Sequence, residues 1–261
     1  MPQAATHPPP ASCDTCANSS SGNGRLADIK GILFDKDGTL VDFHATWFAI
    51  GDILALRAAD GDRARANDLL DVAGFDFATH SFRPDSIFAA GTNADIVSLW
   101  YPHLANGARQ ALIAEFDRFT TEEGASKPVV LSGCREALAV LHATGRRLGI
   151  ATNDSTGGAE RTLLALGVAQ MFVATYGYDA VANPKPAPDT VYAFCDFTGL
   201  RPSQVAMVGD NRHDLEMAKA AGAGLAIGVL SGTGTRESLG QLADVILDSV
   251  ADLPEYLAIQ A

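Results

Sequence analysis

Six short apolar segments recur along the chain, and each is followed by glycine or polar residues. They are hydrophobic almost throughout and alternate with segments of helical periodicity, which is typical of strands in a parallel sheet covered on both faces. The predicted strands are residues 29–34, 147–151, 171–176, 205–208, 225–230 and, with a weaker pattern, 245–247. The pattern therefore predicts an α/β fold built on a doubly wound parallel sheet.

A long insertion separates the first two predicted strands, whereas the later strands follow one another closely. Apolar residues recur there at the i, i+3, i+4 and i+7 spacings of amphipathic helices over residues 45–59, 62–73, 94–101 and 107–121. Residues 74–93, which are rich in aromatic side chains, predict an irregular loop that faces a ligand. We predict that residues 29–42 and 128–261 form the sheet domain, and that residues 43–127 form an inserted all-helical domain.

The first 28 residues are rich in Pro, Ser, Ala, Gly and Asn and contain no hydrophobic block of the signal-peptide type. We predict that residues 1–28 form a disordered tail. Cys13 and Cys16 have the spacing of a metal or redox pair, but no second pair follows, so we interpret them as incidental thiols. Cys134 and Cys195 lie in apolar contexts typical of buried thiols, and the lack of a disulfide pattern favours a cytoplasmic location.

The composition is that of a globular protein with an acidic surface, since 47% of the residues are hydrophobic and the formal net charge is −12. This charge argues against nucleic acid or an anionic membrane as a broad partner. No apolar run in the sequence is long enough to span a membrane. A small anionic substrate is compatible with the charge, because a metal ion or a few Lys and Arg side chains can supply local positive charge. We expect a monomer or a homodimer.

Polar side chains with catalytic potential follow four of the predicted strands. In strand order they are Asp35 and Asp37, then Thr152 and Asn153, then Lys185, and then Asp210 and Asp214. In doubly wound sheets, ligands bind beyond the carboxyl ends of the strands. The sequence therefore predicts a cluster of carboxylates with a hydroxyl and a lysine, which is the outline of a phosphoryl-transfer site.

Asp35 and Asp37 would repel each other unless a cation lay nearby. Mg²⁺ takes oxygen ligands, typically one or two carboxylates with water and phosphate oxygens, and Asp35 and Asp210 would supply the carboxylates. Asp35 could then attack phosphorus, while Asp37 protonates the leaving oxygen and later deprotonates water. Thr152 and Lys185 would hold the phosphoryl group.

The ordered set Asp35-Lys-Asp37-Gly-Thr, Thr152, Lys185 and Gly209-Asp210-x-x-x-Asp214 resembles the four signature motifs of the haloacid dehalogenase superfamily. The resemblance implies a Rossmann-like core and Mg²⁺-dependent phosphate chemistry. It implies Asp35 as nucleophile, Asp37 as general acid/base with its backbone carbonyl on the metal, and Asp210 as a metal ligand. Thr152 and Lys185 would bind phosphate, with Asn153 as a further candidate. Members of the family use the acid at Asp214 either near the metal or to hold the lysine.

The insertion after the first motif resembles the helical cap of the phosphoglycolate phosphatase and β-phosphoglucomutase branch. A phosphatase acting on a small phosphorylated metabolite is the simplest interpretation. A sugar phosphomutase shares the same motifs and differs in how the cap shields the intermediate from water. A regulatory phosphate-binding module is a third alternative, although Asp37 argues against it because this residue supplies fast turnover. The cap contains no lysine from Thr39 to Ser126, which argues against cleavage of phosphonates through a Schiff base.

The substrate is the least constrained part of this interpretation. Arg83, in the aromatic-rich segment, is a candidate for contacting a second anionic group of the substrate, although a surface pair with Asp85 explains it equally well. Thr92 and Asn93 could face the site, but helix capping alone accounts for them. Phosphoglycolate is the substrate that the resemblance favours, and this rests on analogy rather than on any one residue.

Overall fold

The computed structural model describes residues 26–124 and 128–258. The strands are β1 (Gly31–Phe34), β2 (Phe75–Asp76), β3 (Ser81–Phe82), β4 (Arg147–Ala151), β5 (Phe172–Tyr176), β6 (Val205–Gly209), β7 (Leu225–Val229) and β8 (Val245–Leu247). Six of them form one parallel sheet in the order β5-β4-β1-β6-β7-β8. The predicted doubly wound α/β fold is therefore confirmed. The tail, including Cys13 and Cys16, lies outside the described residues except for its last three positions.

The helices of the insertion run close to their predicted positions. They are α1 (Phe43–Ala58), α2 (Arg63–Ala73), α3 (Ile87–Ala90), α4 (Asn93–Trp100) and α5 (Asn106–Gly124). They share a hydrophobic cluster of their own, which includes Trp47, Leu70, Phe88 and Trp100. The prediction of an irregular loop over residues 74–93 is wrong in part, because β2 and β3 pair there as an antiparallel hairpin and α3 follows.

Helices cover both faces of the large sheet. They are α6 (Cys134–Ala143), α7 (Thr156–Leu166), α8 (Asp189–Thr198), α9 (Arg212–Ala221) and the short α10 (Arg236–Leu239) and α11 (Leu253–Tyr256). One hydrophobic cluster includes residues of α6 and α7 and another includes residues of α8 and α9, each together with one face of the strands. Because β1, β6 and β7 are buried along their whole length, their sequences are apolar throughout rather than alternating.

One sequence-based expectation outside the sheet also has a structural counterpart. Cys134 and Cys195 are free, buried thiols, as predicted. Within the described residues, no helix combines the length and the hydropathy needed to cross a bilayer. The boundaries proposed for the two domains stay a prediction.

Glycines in β1 and β4 make room for one aromatic ring of α8. A Cβ atom on Gly149 would lie 2.7 Å from Phe194 Cε2, and one on Gly31 would lie 2.8 Å from Phe194 Cε1. Phe194 is fully buried. Since the loop carrying Lys185 leads directly into α8, this close packing fixes that loop relative to the two strands.

We expect Gly149→Ala to reduce the free energy of unfolding by about 1–3 kcal/mol, because the added methyl group overpacks the contact with Phe194. Thermal denaturation should show a Tm several degrees lower. Gly107→Ala is the matched control, because a Cβ at this position in α5 meets nothing within 4 Å, so its Tm should stay level or rise. Equal Tm values for the two variants would contradict the packing argument.

Candidate active site

Lys185 joins two buried carboxylates at the carboxyl edge of the sheet. Its Nζ donates to Asp35 Oδ1 at 2.7 Å and to Asp214 Oδ1 at 2.6 Å. Asp35 directly follows β1, Asp214 lies in the first turn of α9, and Lys185 belongs to the loop between β5 and α8. The other oxygen of Asp214 accepts a hydrogen bond from Asn211 N at 3.0 Å and so caps α9. Asp214 therefore holds the lysine and caps a helix at once.

Asp210 is held in a narrow space between backbone segments. Its Oδ2 accepts from Thr233 N at 2.8 Å, and its Oδ1 lies 3.4 Å from Thr39 Oγ1. A Cβ on Gly38 or on Gly232 would lie 2.6 Å or 2.0 Å from Asp210 Oδ2. Gly38 also has a φ of 81°, which side chains rarely tolerate. The glycine after Asp37 thus lets the first loop approach Asp210 directly.

The carboxylates of Asp35, Asp210 and Asp214 form a cluster with the spacing of a metal site, since one oxygen of each lies within 4.8 Å of the others. Burial raises the pKa of the Asp35 carboxyl, Lys185 opposes the rise and Asp214 adds to it, so this pKa lies at about 7. Burial, together with the charges of Asp35 and Asp214, also holds the pKa of Asp210 well above its usual range. Three carboxylates thus face one ammonium, so ionising all of them is costly unless a further cation binds.

Lys36 provides a second buried ammonium next to the first. Its Nζ lies 2.5 Å from Asp37 Oδ2 and 3.2 Å from Asp154 Oδ2, with the ring of Trp47 below it at 5.6 Å from the centroid. Burial lowers the pKa of Lys36, but the two carboxylates raise it by more, so the side chain stays charged. Asp37 Oδ1 is buried without a hydrogen-bond partner among the described residues. Lys36 therefore fixes one oxygen of Asp37 and leaves the other without a partner.

Thr152 and Asn153 follow β4 and line the same pocket as Asp35 and Lys185. Thr152 is buried, and its Oγ1 accepts from Asp154 N at 3.1 Å. Asn153 Nδ2 donates to the backbone carbonyls of Ala90 at 2.8 Å and of Lys185 at 3.2 Å. The amide group of Asn153 is thus used to join the insertion to the Lys185 loop, and its Oδ1 is left without a partner in the described structure.

The insertion closes over these residues and supplies an apolar wall. The pocket, a cavity of about 50 Å³, is bounded on this side by Phe43, Trp47, Phe88 and Ile96 and by residues 89–93. These wall residues include no Lys or Arg. The site therefore has charged side chains on the side of the sheet and a largely neutral wall on the side of the insertion.

Hydrogen bonds hold the insertion against the sheet domain. His213 Nδ1 lies 3.1 Å from the carbonyl oxygen of Ala90, which also accepts from Asn153. Because that carbonyl can only accept, Nδ1 must carry the proton. Thr121 and Ser155 share a hydrogen bond of 2.8 Å, and Tyr178 Oη donates to Asp117. The structure thus has the insertion docked over the site.

Arg83 lies outside the pocket, contrary to the expectation that it contacts the substrate. Its guanidinium donates to Asp71 Oδ1 at 3.0 Å and to the Asp71 carbonyl, and about half of its side chain is exposed. The β2–β3 hairpin brings Arg83 to this place, because its backbone N–H bonds to the Gly74 carbonyl. The surface pairing that we considered is also different, since the partner is Asp71 rather than Asp85.

Thr92 and Asn93 line the pocket, but their side chains are engaged elsewhere. Thr92 forms a capping box with Asp95 at the start of α4. Asn93 Nδ2 donates to Asp117 at 2.8 Å and to Thr120 at 3.0 Å. Helix capping and packing therefore explain both residues.

Sequence reasoning gave no role to five polar residues of the pocket region. They are Lys36, Trp47, Asp154, Asn211 and His213, which contact or adjoin the predicted set. The lysine between two aspartates was a visible signal for Lys36, because a charge that follows a buried strand needs partners. Trp47 gave no such signal, since a tryptophan at helical spacing is ordinary core.

Two similar curated proteins are phosphoglycolate phosphatases. Over 258 aligned residues the chain is 30% identical to phosphoglycolate phosphatase of Salmonella typhimurium, covering 90% of this chain and 95% of that protein. It is 29% identical to phosphoglycolate phosphatase of Escherichia coli with the same coverage.

Solved structures share the fold. CbbY from Rhodobacter sphaeroides, solved in complex with phosphate, matches with a TM-score of 0.62 and 24% identity over 86% of this chain and 96% of that one. A hydrolase from Pseudomonas syringae matches with a TM-score of 0.65 and 22% identity over 88% and 98%. The family model for haloacid dehalogenase-like hydrolases matches residues 29–222. The chain therefore belongs to the haloacid dehalogenase-like hydrolase family.

Proposed function

We propose that this protein is a Mg²⁺-dependent phosphatase that hydrolyses a small phosphomonoester, phosphoglycolate or a close analogue, through a phosphorylated Asp35. The observation that carries the proposal is the position of Asp35. Its carboxylate is buried at the end of β1, bound to Lys185, and has an oxygen within 4.8 Å of oxygens of Asp210 and Asp214. The residues proposed as nucleophile, phosphate-binding cation and metal ligands thus lie close together.

The acidic cluster fits Mg²⁺ because its donors are all carboxylate oxygens, which hard divalent cations prefer. Asp35 and Asp210 would hold the ion, while Asp214 already has both oxygens engaged, with Lys185 and with Asn211 N. The excess negative charge around Asp210 also calls for a cation. When bound, Mg²⁺ would neutralise these carboxylates and polarise the phosphoryl group.

Asp35 would act as the nucleophile. Its carboxylate oxygen forms a bond to phosphorus as the bond from phosphorus to the ester oxygen breaks, and Lys185 and Thr152 stabilise the charge on the phosphoryl oxygens. Water then attacks the phosphorylated Asp35, which releases inorganic phosphate and restores the carboxylate. Both steps need a proton transfer at an oxygen atom.

Asp37 would perform both proton transfers. In the first step it protonates the leaving oxygen, and in the second it accepts the proton of the attacking water. Lys36 supports this role, because it holds Oδ2 and leaves Oδ1 without a partner in the described residues. Asp35 and Asp37 thus have separate ammonium partners, which is consistent with separate tasks.

The insertion, residues 43–127, would act as a cap over the site. Its apolar wall would exclude bulk water while Asp35 attacks phosphorus, and opening of the cap would admit substrate and release product. The small pocket, of about 50 Å³, favours a small leaving group, and the names of the similar phosphatases suggest phosphoglycolate. A cytoplasmic location fits such a metabolic substrate.

Phosphate release from phosphoglycolate and a panel of sugar phosphates is the direct test. We expect release with Mg²⁺, no release with EDTA, and a loss of at least about 10³-fold in kcat for Asp35→Asn, because an amide cannot act as the nucleophile. Full activity of Asp35→Asn would overturn the proposal. Conversion of a sugar phosphate to its isomer without phosphate release would indicate a phosphomutase instead.

The variant Asp210→Asn should distinguish the contribution of Asp210 to metal binding from its contribution to stability. Because its raised pKa makes the charged form unfavourable in the fold, the neutral variant in EDTA should have a Tm equal to or several degrees above that of the wild type. Mg²⁺ should raise the Tm of the wild type but not of the variant.

The control for this experiment is Asp71→Asn, whose exposed carboxylate pairs with Arg83 and is not part of the cluster. This variant should keep the Mg²⁺-dependent rise in Tm. The metal assignment fails if Asp210→Asn responds to Mg²⁺ as the wild type does.

Lys36→Met should reduce kcat/KM by an amount that depends on the leaving group of the substrate. We expect a fall in kcat/KM that is at least about 10-fold larger for phosphoglycolate than for p-nitrophenyl phosphate, since nitrophenolate leaves without protonation. Lys219→Met, which removes an exposed ion pair with Asp244, should change neither value. Equal losses on both substrates would mean that Lys36 has only a structural role.

A further inference from the structure

Four buried polar atoms without hydrogen-bond partners in the described structure belong to residues of the catalytic pocket. They are Asp37 Oδ1, Trp47 Nε1, Asn153 Oδ1 and Asn211 Nδ2. A buried polar group without a partner costs about 1–3 kcal/mol, so folded proteins rarely keep such groups without a reason. Their concentration around one pocket indicates that a ligand supplies the missing partners.

Trp47 differs from the other three because it belongs to the cap. Asp37, Asn153 and Asn211 follow strands of the sheet domain, where the phosphoryl group would bind. Trp47 lies in α1, in the wall that faces the leaving group, and only 8% of its surface is exposed. Its unpartnered group is an indole N–H, which can only donate.

Neighbouring side chains fix the indole ring in place. Phe43 stacks on it with 6.4 Å between centroids, Phe88 meets it edge to face at 6.2 Å, and Lys36 Nζ lies over its face. Since Lys36 also binds Asp37, the ring adjoins the group that would protonate the leaving oxygen. A substituent next to that oxygen would meet the tryptophan.

The other cap residues of the pocket offer no equivalent donor. Thr92 donates to Asp95, and Asn93 donates to Asp117 and Thr120. The rest of the wall is aromatic, aliphatic or glycine, and Arg83 is absent from it. A hydrogen-bond acceptor carried by the substrate would therefore find the indole N–H as its side-chain partner in the cap.

We propose that Trp47 is a specificity-determining residue whose Nε1–H binds an acceptor oxygen, a carboxylate or a hydroxyl, on the leaving group of the phosphomonoester. The inference rests on the proposed phosphatase function and names the class of substrate for it. A site built to hydrogen-bond a substrate oxygen rejects an analogue that lacks it. The chain should therefore prefer short phosphomonoesters with an oxygen beyond the ester carbon over plain alkyl phosphates.

The test compares three substrates of matched size: phosphoglycolate, 2-hydroxyethyl phosphate and ethyl phosphate. For Trp47→Phe we expect kcat/KM to fall about 10- to 100-fold for at least one of the two oxygen-bearing substrates. The value for ethyl phosphate should fall by less than about 3-fold. The substrate with the larger loss identifies the acceptor as carboxylate or hydroxyl. Equal losses on all three substrates would make Trp47 a packing residue and overturn the inference.

Trp100, the second tryptophan of the chain, provides the matched control. It belongs to the same hydrophobic cluster, but its Nε1 donates to the Leu69 carbonyl at 3.0 Å and it does not line the pocket. Trp100→Phe leaves that carbonyl unpaired, so its Tm should fall, while the ratios of kcat/KM among the three substrates should not change. Trp47→Phe, in contrast, should change those ratios.

A binding measurement keeps the inference testable if Trp47→Phe does not fold or the wild type hydrolyses none of the three. In the double variant Asp35→Asn/Trp100→Phe, Trp47 is the sole tryptophan and turnover is blocked. Its emission should change on titration with phosphoglycolate or 2-hydroxyethyl phosphate and change less with ethyl phosphate. No response to either oxygen-bearing compound would overturn the inference, whereas absence of turnover by the wild type with a positive titration would contradict only the proposed reaction.

Discussion

The ion pairs that Lys185 makes with Asp35 and Asp214 are the interactions on which the arrangement of the site depends. They connect the end of β1, the loop before α8 and the start of α9, which are distant in sequence. One ammonium faces three carboxylates, and burial raises the pKa of Asp35 to about 7 and holds that of Asp210 well above its usual range. The apolar sheet and its helices stabilise a charge cluster that a bound cation would complete.

A second ammonium gives the two aspartates of the first loop separate partners. Asp35 and Asp37 are one residue apart, yet Lys185 binds the first and Lys36 binds the second. Neighbouring carboxylates need different environments if one is to act as a nucleophile and the other as an acid and base. The cap completes the site, because Trp47 packs under Lys36 and closes the pocket on the side away from the sheet.

The sheet was predictable from sequence because its strands are buried on both faces and are therefore apolar throughout. Asp35, Thr152, Lys185 and Asp210 could be grouped because each follows a strand, and parallel strands end at the same edge. Arg83 could not be located, because its pairing with Asp71 depends on a hairpin of two-residue strands that leaves no alternating pattern. The partner of Lys36, Asp154, was equally hidden, since the ends of β1 and β4 had first to be placed side by side.

Trapping the phosphorylated enzyme would test the role of Asp35 most directly. In Asp37→Asn, p-nitrophenyl phosphate can still phosphorylate Asp35, because nitrophenolate leaves without an acid. Hydrolysis of the phosphorylated Asp35 lacks its base, so this acyl phosphate should accumulate. Acid quenching, borohydride reduction and peptide mass spectrometry would locate the modified residue. The proposed mechanism predicts modification of Asp35 and none in Asp35→Asn/Asp37→Asn. Modification of another residue, or a burst of nitrophenolate with no modified peptide, would contradict it.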